Sequence, residues 1–148
     1  MSLDHVLDRP VSQRAAHAIL DEIPYAVMMG VLAEENPGTH EPLRFVMHAS
    51  ELHMGNPTLP AMHGGALSGF MELASAVHLL SFMETAKYPK LIDFSIDYLR
   101  AARLQTVYAV CELMREGRNL TAVQVKAWQE DPARPVAIGR AQFLCSDR

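Results

Sequence analysis

One stretch in the middle of the chain limits the folds that this sequence can adopt. Over residues 66–82 the apolar side chains fall on every side of a helix rather than along one stripe. A helix that is apolar all round is a buried helix, so the remaining elements must wrap around it. Gly64 and Gly65 open this helix, and Glu72 lies inside it. Because a glutamate is almost never fully buried unless it is paired or used, Glu72 is the first candidate for a functional group.

The length and charge of the chain narrow the class of protein. We predict a single domain over residues 1–148, with a helical N-terminal extension over residues 1–22, because this length can bury a sizeable core. The net charge of −4 and the lack of a basic run argue against a nucleic-acid partner. No apolar run reaches the roughly 18 residues of a membrane span, and no signal peptide opens the chain. We therefore expect a cytoplasmic protein without a membrane partner. Cys111 and Cys145 are interpreted as reduced thiols, with a disulfide or a metal role as the alternative.

The predicted order of elements is a helix, two strands, the long central helix and four more strands. Before the central helix we predict a helix over 12–22 that Pro24 ends, strands over 26–34 and 43–48, and a loop over 50–62. The central helix runs from about 63 to 86, and strands follow over 92–98, 106–115, 120–129 and 136–144. Four consecutive antiparallel strands form a meander that can wrap one apolar helix, which predicts an α+β layer architecture.

Several short motifs join this order of elements. They are the loop Gly55-Asn56-Pro57, the helix start His63-Gly64-Gly65, Glu72 nine residues after the histidine, and the later segment Asp97-Tyr98-Leu99-Arg100. Together they resemble the hotdog-fold acyl-CoA thioesterases, and most of all the phenylacetate-pathway (PaaI-like) branch. The resemblance covers the chain from about residue 23 to residue 144. It implies a hotdog fold, in which a mostly antiparallel sheet wraps a long central helix.

The same resemblance implies an activity and a set of site residues. The activity is hydrolysis of an acyl-CoA thioester to a free carboxylic acid and CoA, with no cofactor. In the family the amide of the first glycine after the histidine serves as oxyanion hole, here Gly64, and the carboxylate is the nucleophile or general base, here Glu72. An amide side chain in the preceding loop helps to place the thioester or the water, here Asn56. Ser75 is the hydroxyl closest to a position where some members carry one, and it is a candidate for substrate binding.

The chemistry of Gly64 and Glu72 agrees with these roles and predicts an assembly. The start of a helix offers free N–H groups and a positive dipole end, which suit charge developing on a carbonyl oxygen. Glu72 lies eight residues further along, about 12 Å at 1.5 Å per residue, so one carbonyl cannot reach both groups of one helix. Two antiparallel helices from two subunits would bring them together. We therefore predict a homodimer, or a tetramer made of two dimers.

Each candidate residue also has a simpler interpretation. Glu72 could be the partner of a buried Arg or Lys. His63 is either a residue that begins the helix and orients the loop or a catalytic base, with Gly65 beside it as a substrate contact. Arg100 and Arg118 are either solvated charges or ligands of the CoA phosphates. The histidines show no recurring ligand spacing, so no metal site is predicted.

Two further functions compete with hydrolysis. A hotdog dehydratase or hydratase would act on a β-hydroxyacyl thioester with a histidine and a separate acid, but no second histidine stands at a helix start near such an acid. A non-catalytic acyl-CoA-binding protein would use Glu72 only as a structural group. Release of free thiol from acyl-CoA substrates distinguishes the three.

Overall fold

A computed structural model describes residues 2–34, 43–83 and 87–144. The helices are α1 (Leu3–Leu7), α2 (Ala16–Asp21), α3 (Pro24–Met29) and α4 (Gly64–Phe82), with short 3-10 turns at Val11–Gln13 and Glu51–His53. The strands are β1 (Val31–Glu34), β2 (Arg44–Met47), β3 (Met54–Asn56), β4 (Ala61–Met62), β5 (Lys90–Tyr98), β6 (Val107–Glu116), β7 (Leu120–Trp128) and β8 (Ala137–Leu144). The predicted loop over 50–62 therefore contains a 3-10 turn and two short strands.

The main sheet has six antiparallel strands in the order β1-β2-β6-β7-β8-β5, and β3 pairs with β4 in a separate small sheet. The long helix α4 packs against β5, β6, β7 and β8. The inward-facing side chains of these strands join the core, among them Val123, Val125 and Ala141, all with no exposed surface. This central helix against an antiparallel sheet confirms the α+β hotdog fold.

The last four strands lie where the sequence predicts them, but they do not form a simple meander. β5 pairs with β8, the last strand, while β6 pairs with β2 and β7. Residues 99–106 lead from β5 to β6, so no tight hairpin joins these strands. The predicted alternation along β5 is also interrupted, since a bulge lies between Leu91 and Asp93 and leaves Ile92 47% exposed. Because β8 is its single neighbour among the described strands, β5 is an edge strand of the sheet.

The strand predicted over residues 26–34 is wrong in its first part. Pro24 begins α3 instead of ending the preceding helix, because a helix has no use for an N–H at its first position. Gly30 ends α3 in the left-handed region at φ 73°, a conformation that glycine adopts at no steric cost. Ala26 and Met29, three residues apart, are the buried side chains of α3. Only Val31–Glu34 is a strand.

The helix α4 is mostly buried, although one stripe of it stays partly open. It ends at Phe82, and the predicted end near residue 86 lies outside the described residues. Gly64, Gly65, Ser68 and Glu72 lie at positions along one side that keep some exposure. By length and composition alone α4 could cross a membrane, contrary to the expectation from the sequence, but most of it is buried inside the protein, as in a core helix.

The C-terminal end of α4 is closed by a residue of the N-terminal segment. The Nη1 group of Arg14 donates to the carbonyl oxygens of Leu80 at 3.2 Å and Met83 at 3.1 Å. Its Nη2 donates to Leu7 at 2.6 Å, so the same guanidinium joins α1 to α4. The last carbonyl groups of a helix lack intrahelical donors, and a cation there also suits the negative end of the helix dipole. Arg14 thus caps α4 without a glycine.

Candidate active site

The N-terminal end of α4 begins with His63 as the capping residue. The Nδ1 atom of His63 accepts the N–H of Gly65 at 2.8 Å, so a neutral ring carries its proton on Nε2. The carbonyl oxygen of His63 accepts from Ala66 and Leu67. Within residues 2–34, 43–83 and 87–144, no acceptor engages the N–H of Gly64. This geometry confirms His63 as the residue that begins the helix, while its catalytic role and the substrate contact of Gly65 stay predictions.

A tyrosine that the sequence analysis gave no role fixes the other side of Gly64. The hydroxyl of Tyr98 donates to the carbonyl oxygen of Gly64 at 2.8 Å. A methyl group added at Gly64 would lie 3.1 Å from that hydroxyl oxygen, so the space beside this backbone is narrow. Tyr98 ends β5, 34 residues further along the chain, and only the fold brings it here. Gly64 therefore has a fixed carbonyl and an open N–H.

The loop before α4 packs its backbone directly on His63. A side chain at Gly55 would place a Cβ atom 2.6 Å from the Cα of His63, so only glycine fits there. The neighbouring Asn56 uses its Oδ1 atom to accept from Thr58, at 3.0 Å from the backbone N–H and 2.6 Å from the hydroxyl. Only the amide nitrogen of Asn56 remains open to a ligand among the described groups. Asn56 ends β3 and pairs with Ala61 of β4, two residues before the capping residue of α4, and its contribution to catalysis stays a prediction.

Glu72 lies on the open stripe of α4, about 12 Å along the helix from Gly64. Its side chain is partly exposed, and burial raises its pKa above the ordinary value. No hydrogen bond or ion pair engages its carboxylate in the part of the chain that the structure describes. The alternative role as the partner of a buried cation therefore has no support among those residues. An unpaired carboxylate with a raised pKa is a suitable general base.

A second tyrosine lies near Glu72. Burial raises the pKa of Tyr88, and the negative charge of Glu72 raises it further, which places the phenol within electrostatic range of the carboxylate. Tyr88 shortly precedes Lys90, where β5 begins, and is therefore at the opposite end of that strand from Tyr98. Tyr88 was not among the residues predicted for the site, because no local sequence pattern points to it.

Ser75 lies one turn beyond Glu72 on α4, where the helix is fully covered. It is fully buried, and its hydroxyl donates to the carbonyl oxygen of Met71 at 2.8 Å, one turn earlier. The same hydroxyl contacts Cys111, whose pKa is raised to about 12 mainly by burial. Cys111 is a free, buried thiol, and Cys145 lies outside the described residues. The predicted substrate contact of Ser75 stays a prediction, and in this protomer the residue packs in the core.

Arg118 lines an open cleft of about 490 Å³ at the hairpin between β6 and β7. Arg115 and Arg140 also line this cleft, and none of its lining residues is acidic. Three positive charges around one opening with no carboxylate favour an anion. The cleft does not include Gly64 or Glu72.

Arg100 lines a different cleft, of about 440 Å³. Its Nε donates to the carbonyl oxygen of Pro135 at 3.1 Å. Two more arginines line the cleft, but Glu130 and Asp131 do as well, so the charge there is mixed. Arg100 is therefore a weaker candidate for a phosphate ligand than Arg118.

The pairing of β5 with β8 sorts the candidate residues to two ends of one protomer. Tyr98 pairs with Ala137, and Lys90 pairs with Leu144, which also pairs with Leu120 beside the β6–β7 hairpin. These ends lie about 26 Å apart along the strand. The first end holds Gly64, Asn56, His63, Tyr98 and Arg100, and the second holds Tyr88 and Arg118. One protomer alone does not bring Gly64 and Glu72 together.

No group of three or more His, Cys, Asp or Glu side chains within the described ranges could hold a metal ion. One histidine, His53, is fully buried, and its Nε2 lies 2.9 Å from the carbonyl oxygen of Met29.

Comparison with known proteins gives consistent results. The thioesterase superfamily model matches residues 59–136, which contain both Gly64 and Glu72. A Chromobacterium violaceum protein of known crystal structure is 39% identical to this chain in sequence. The match covers 90% of this chain and 91% of that protein's chain, with a TM-score of 0.72. No curated protein matches the chain.

Two more distant crystal structures share the fold. One is a candidate thioesterase, a phenylacetic acid degradation-related protein from Ralstonia eutropha JMP134, with 19% identity, coverage of 95% and 99%, and a TM-score of 0.73. The other is a Bacillus halodurans protein crystallised with CoA, with 17% identity, coverage of 85% and 81%, and a TM-score of 0.73.

Proposed function

The chain belongs to the thioesterase superfamily, and from this premise we propose that it hydrolyses acyl-CoA thioesters to a free carboxylic acid and CoA. The observation that carries the proposal is the open stripe of α4. It presents the unengaged N–H of Gly64 and the unpaired carboxylate of Glu72 on one helix. The presence of CoA in the Bacillus halodurans structure supports the choice of thioester.

The active unit in this proposal is a homodimer with antiparallel α4 helices. Two groups about 12 Å apart on one helix can meet across a two-fold axis. β5 offers a matching surface, because it is an edge strand whose outer N–H and C=O groups can pair with a second copy of itself. Antiparallel pairing would place the Tyr98 end of one β5 beside the Tyr88 end of the other. Light scattering at micromolar concentration should give at least a dimer, whereas a monomer would contradict the shared site.

Within such a dimer the chemical roles follow from charge. The N–H of Gly64 binds the thioester oxygen and stabilises its developing negative charge. The partner subunit's Glu72 either attacks the carbonyl carbon, forming a mixed anhydride that water hydrolyses, or removes a proton from the attacking water. In both routes the C–S bond breaks and CoA leaves as thiolate, which then takes up a proton. Trapping of an anhydride by hydroxylamine in a rapid-quench experiment would identify the first route.

The nucleotide part of CoA is assigned to the Arg118 cleft in this proposal. Two-fold pairing of β5 would bring the partner's β6–β7 hairpin to the same end as Gly64. The three arginines there meet no lining carboxylate, unlike those beside Arg100. We expect Arg118→Gln to raise KM for acyl-CoA more than Arg100→Gln does, with little change in kcat, since phosphate contacts bind ground state and transition state alike. An equal effect of the two variants would contradict the assignment.

The deciding experiment measures free thiol released from a panel of acyl-CoA substrates. Glu72→Gln keeps the shape and removes the charge, and loss of a positioned base typically costs about 10² to 10⁴ in rate. Glu112→Gln, an exposed glutamate on β6, is the matched control and should keep the parent's rate. Glu72→Asp should keep part of it.

The stability of the variant separates catalysis from packing. Because the folded-state pKa of Glu72 is raised, ionisation opposes folding as the pH rises through the raised pKa. Glu72→Gln should therefore unfold no more easily than the parent at neutral pH. Parent-like turnover of Glu72→Gln would remove Glu72 from the mechanism. A parent that binds acyl-CoA but releases no thiol would be a binding protein, and one that hydrates an enoyl thioester would be a hydratase. The cytoplasmic location and the tetramer stay predictions from the sequence.

A further inference from the structure

His53 is a fully buried histidine that the proposed reaction does not use directly. It ends the 3-10 turn Glu51–His53, ahead of the loop that leads into α4. Its Nε2 lies 2.9 Å from the carbonyl oxygen of Met29, the last residue of α3. A carbonyl can only accept, so Nε2 carries the proton and donates it. The side chain of His53 thus satisfies one of the carbonyl groups that α3 leaves open at its end.

The backbone of the same residue holds the start of α4. The carbonyl oxygen of His53 accepts the N–H of His63 at 2.7 Å. His63 is the capping residue, and its Nδ1 engages Gly65, which leaves the intervening N–H of Gly64 open. His53 therefore links two segments through two hydrogen bonds. Its ring binds the end of α3, and its carbonyl oxygen binds His63, the residue before Gly64.

We propose that His53 is a positioning residue that fixes the direction of the Gly64 N–H by anchoring the capping residue of α4 to the end of α3. This inference rests on the proposed function, since it gives that N–H its catalytic purpose. Rigid placement matters there because a misplacement of about 1 Å can cost about 100-fold in rate. An oxyanion donor also contributes most when it is oriented before the reaction begins.

Only one of the two ring nitrogens of His53 has a hydrogen-bond partner among the described residues, which is unusual for a buried polar side chain. Its Nδ1 is buried and has no hydrogen-bond partner among the described residues. A buried acceptor without a partner costs free energy, so packing alone does not account for a polar ring at this place. The ring supplies one N–H group, at Nε2, which lies far enough from the backbone of His53 to reach the carbonyl oxygen of Met29.

Three substitutions test this assignment. His53→Leu removes the donor, and His53→Asn keeps a polar side chain whose amide corresponds to Nδ1 and is too short to reach Met29. His53→Gln places an amide nitrogen near the position of Nε2 and can restore the bond. For Leu and Asn we expect kcat to fall about 10- to 100-fold with KM for acyl-CoA nearly unchanged, and for Gln we expect most of kcat to return.

Amide hydrogen exchange supplies a readout that does not depend on turnover. Exchange of the His63 N–H should become at least about tenfold faster in the Leu and Asn variants and return toward the parent's rate in the Gln variant. Phe143→Leu, a fully buried residue of β8 near the other end of the sheet, is the control for general destabilisation and should change neither quantity. If the Leu variant does not fold, the Asn and Gln pair carries the comparison.

The results distinguish failure of the proposed thioesterase function from failure of the positioning role of His53. A parent without thioesterase activity would end the proposed function, and unchanged exchange at His63 in both Leu and Asn variants would still overturn the role of His53. If the parent is active and the Leu and Asn variants keep its kcat, the positioning role is also wrong. Loss of kcat that Gln fails to restore would mean that the bond to Met29 is not the cause.

Discussion

The two ends of α4 differ in how their backbone groups are hydrogen-bonded. The N–H of the first residue has no acceptor among the described residues, whereas carbonyl groups at the last turn accept hydrogen bonds from a guanidinium. Gly64 is held from two sides, by Tyr98 on its carbonyl and by the capping residue His63, and still offers its N–H. Leu80 and Met83 at the other end both accept from Arg14. The two ends of α4 therefore have different roles, the N-terminal end in the proposed reaction and the C-terminal end in the stability of the fold. Changes at the first end should affect turnover, and changes at the second should affect unfolding.

Gly64→Ala gives the largest expected effect and addresses the open end. The added methyl group would lie 3.1 Å from the Tyr98 hydroxyl, and in the proposed reaction it would crowd the N–H that binds the thioester oxygen. We expect kcat/KM to fall by about 10² to 10³, the loss typical of an oxyanion donor. Thiol release measures it, and thermal unfolding should change little. A variant that unfolds easily but turns over normally would reverse the comparison.

His78, in the C-terminal half of α4, should make the free energy of unfolding depend on pH. Its ring contacts Phe82 at 4.7 Å, and burial lowers the pKa of His78 to about 4 from the ordinary 6.5. Only the unfolded chain then binds this proton between those values, so its contribution is complete above pH 6.5 and is lost as the pH falls toward 4. The difference corresponds to about 3 kcal/mol. Urea unfolding should show this slope in the parent, and His78→Leu should reduce it.

Arg14→Gln should destabilise the protein without slowing the reaction. The variant loses the cation at the C-terminal end of α4 and the guanidinium's bonds to four carbonyl groups, which we expect to lower the free energy of unfolding by about 2 kcal/mol. Arg14→Lys keeps the charge but not the fork of donors, and should fall between the two. Urea unfolding measures the change, and thiol release is measured well below the melting temperature. A loss of kcat comparable with that of Gly64→Ala would show that the two ends are coupled.

Tyr98→Phe should give the smallest effect and sharpens the description of the open end. It removes one hydrogen bond to the Gly64 carbonyl while keeping the ring in place. A single hydrogen bond is worth about 0.5 to 1.5 kcal/mol, so we expect kcat to fall about two- to tenfold. Tyr108→Phe, a tyrosine of β6 whose ring contacts Trp128 and Arg44, is the matched control. An unchanged kcat would mean that His63 and the loop hold Gly64 sufficiently without Tyr98.

The sequence predicted those parts of the fold that depend on long, uniform patterns. The apolar run of α4 and the strands β6, β7 and β8 lie within a few residues of the expected bounds. α3 was missed because Val27, Met28 and Met29 were interpreted as part of a strand that continued through Gly30, while Pro24 was interpreted as the end of the preceding helix. In the structure Pro24 and Gly30 are the first and last signals of a short helix. Both interpretations use the same residues, and the packing of Ala26 and Met29 decides between them.

The site was predictable only where it is local in sequence. Gly64, His63 and Glu72 follow from the start and the composition of one helix. Tyr98, Tyr88 and His53 depend on partners between 10 and 34 residues away, so they required the register of β5 and the course of the loop. Ser75 is a different case, since its spacing along the chain suggested the site, whereas its burial and its hydrogen bond to Met71 are visible only in the structure. Its contact with substrate stays a prediction.

The position of β8 between β7 and β5 has a consequence for how the chain acquires its structure. While the protein is being synthesised, β5 emerges well before the strand that pairs with it, and the α4 surface beside it has no complete cover. Contacts between β5 and β8 join residues separated by 39 to 54 positions, and such non-local pairing is slow to form. The apolar helix at the centre of the protein must therefore remain accessible to other chains until the ribosome has delivered residues 137–144. This interval is when the nascent chain is most exposed to aggregation and most in need of a chaperone.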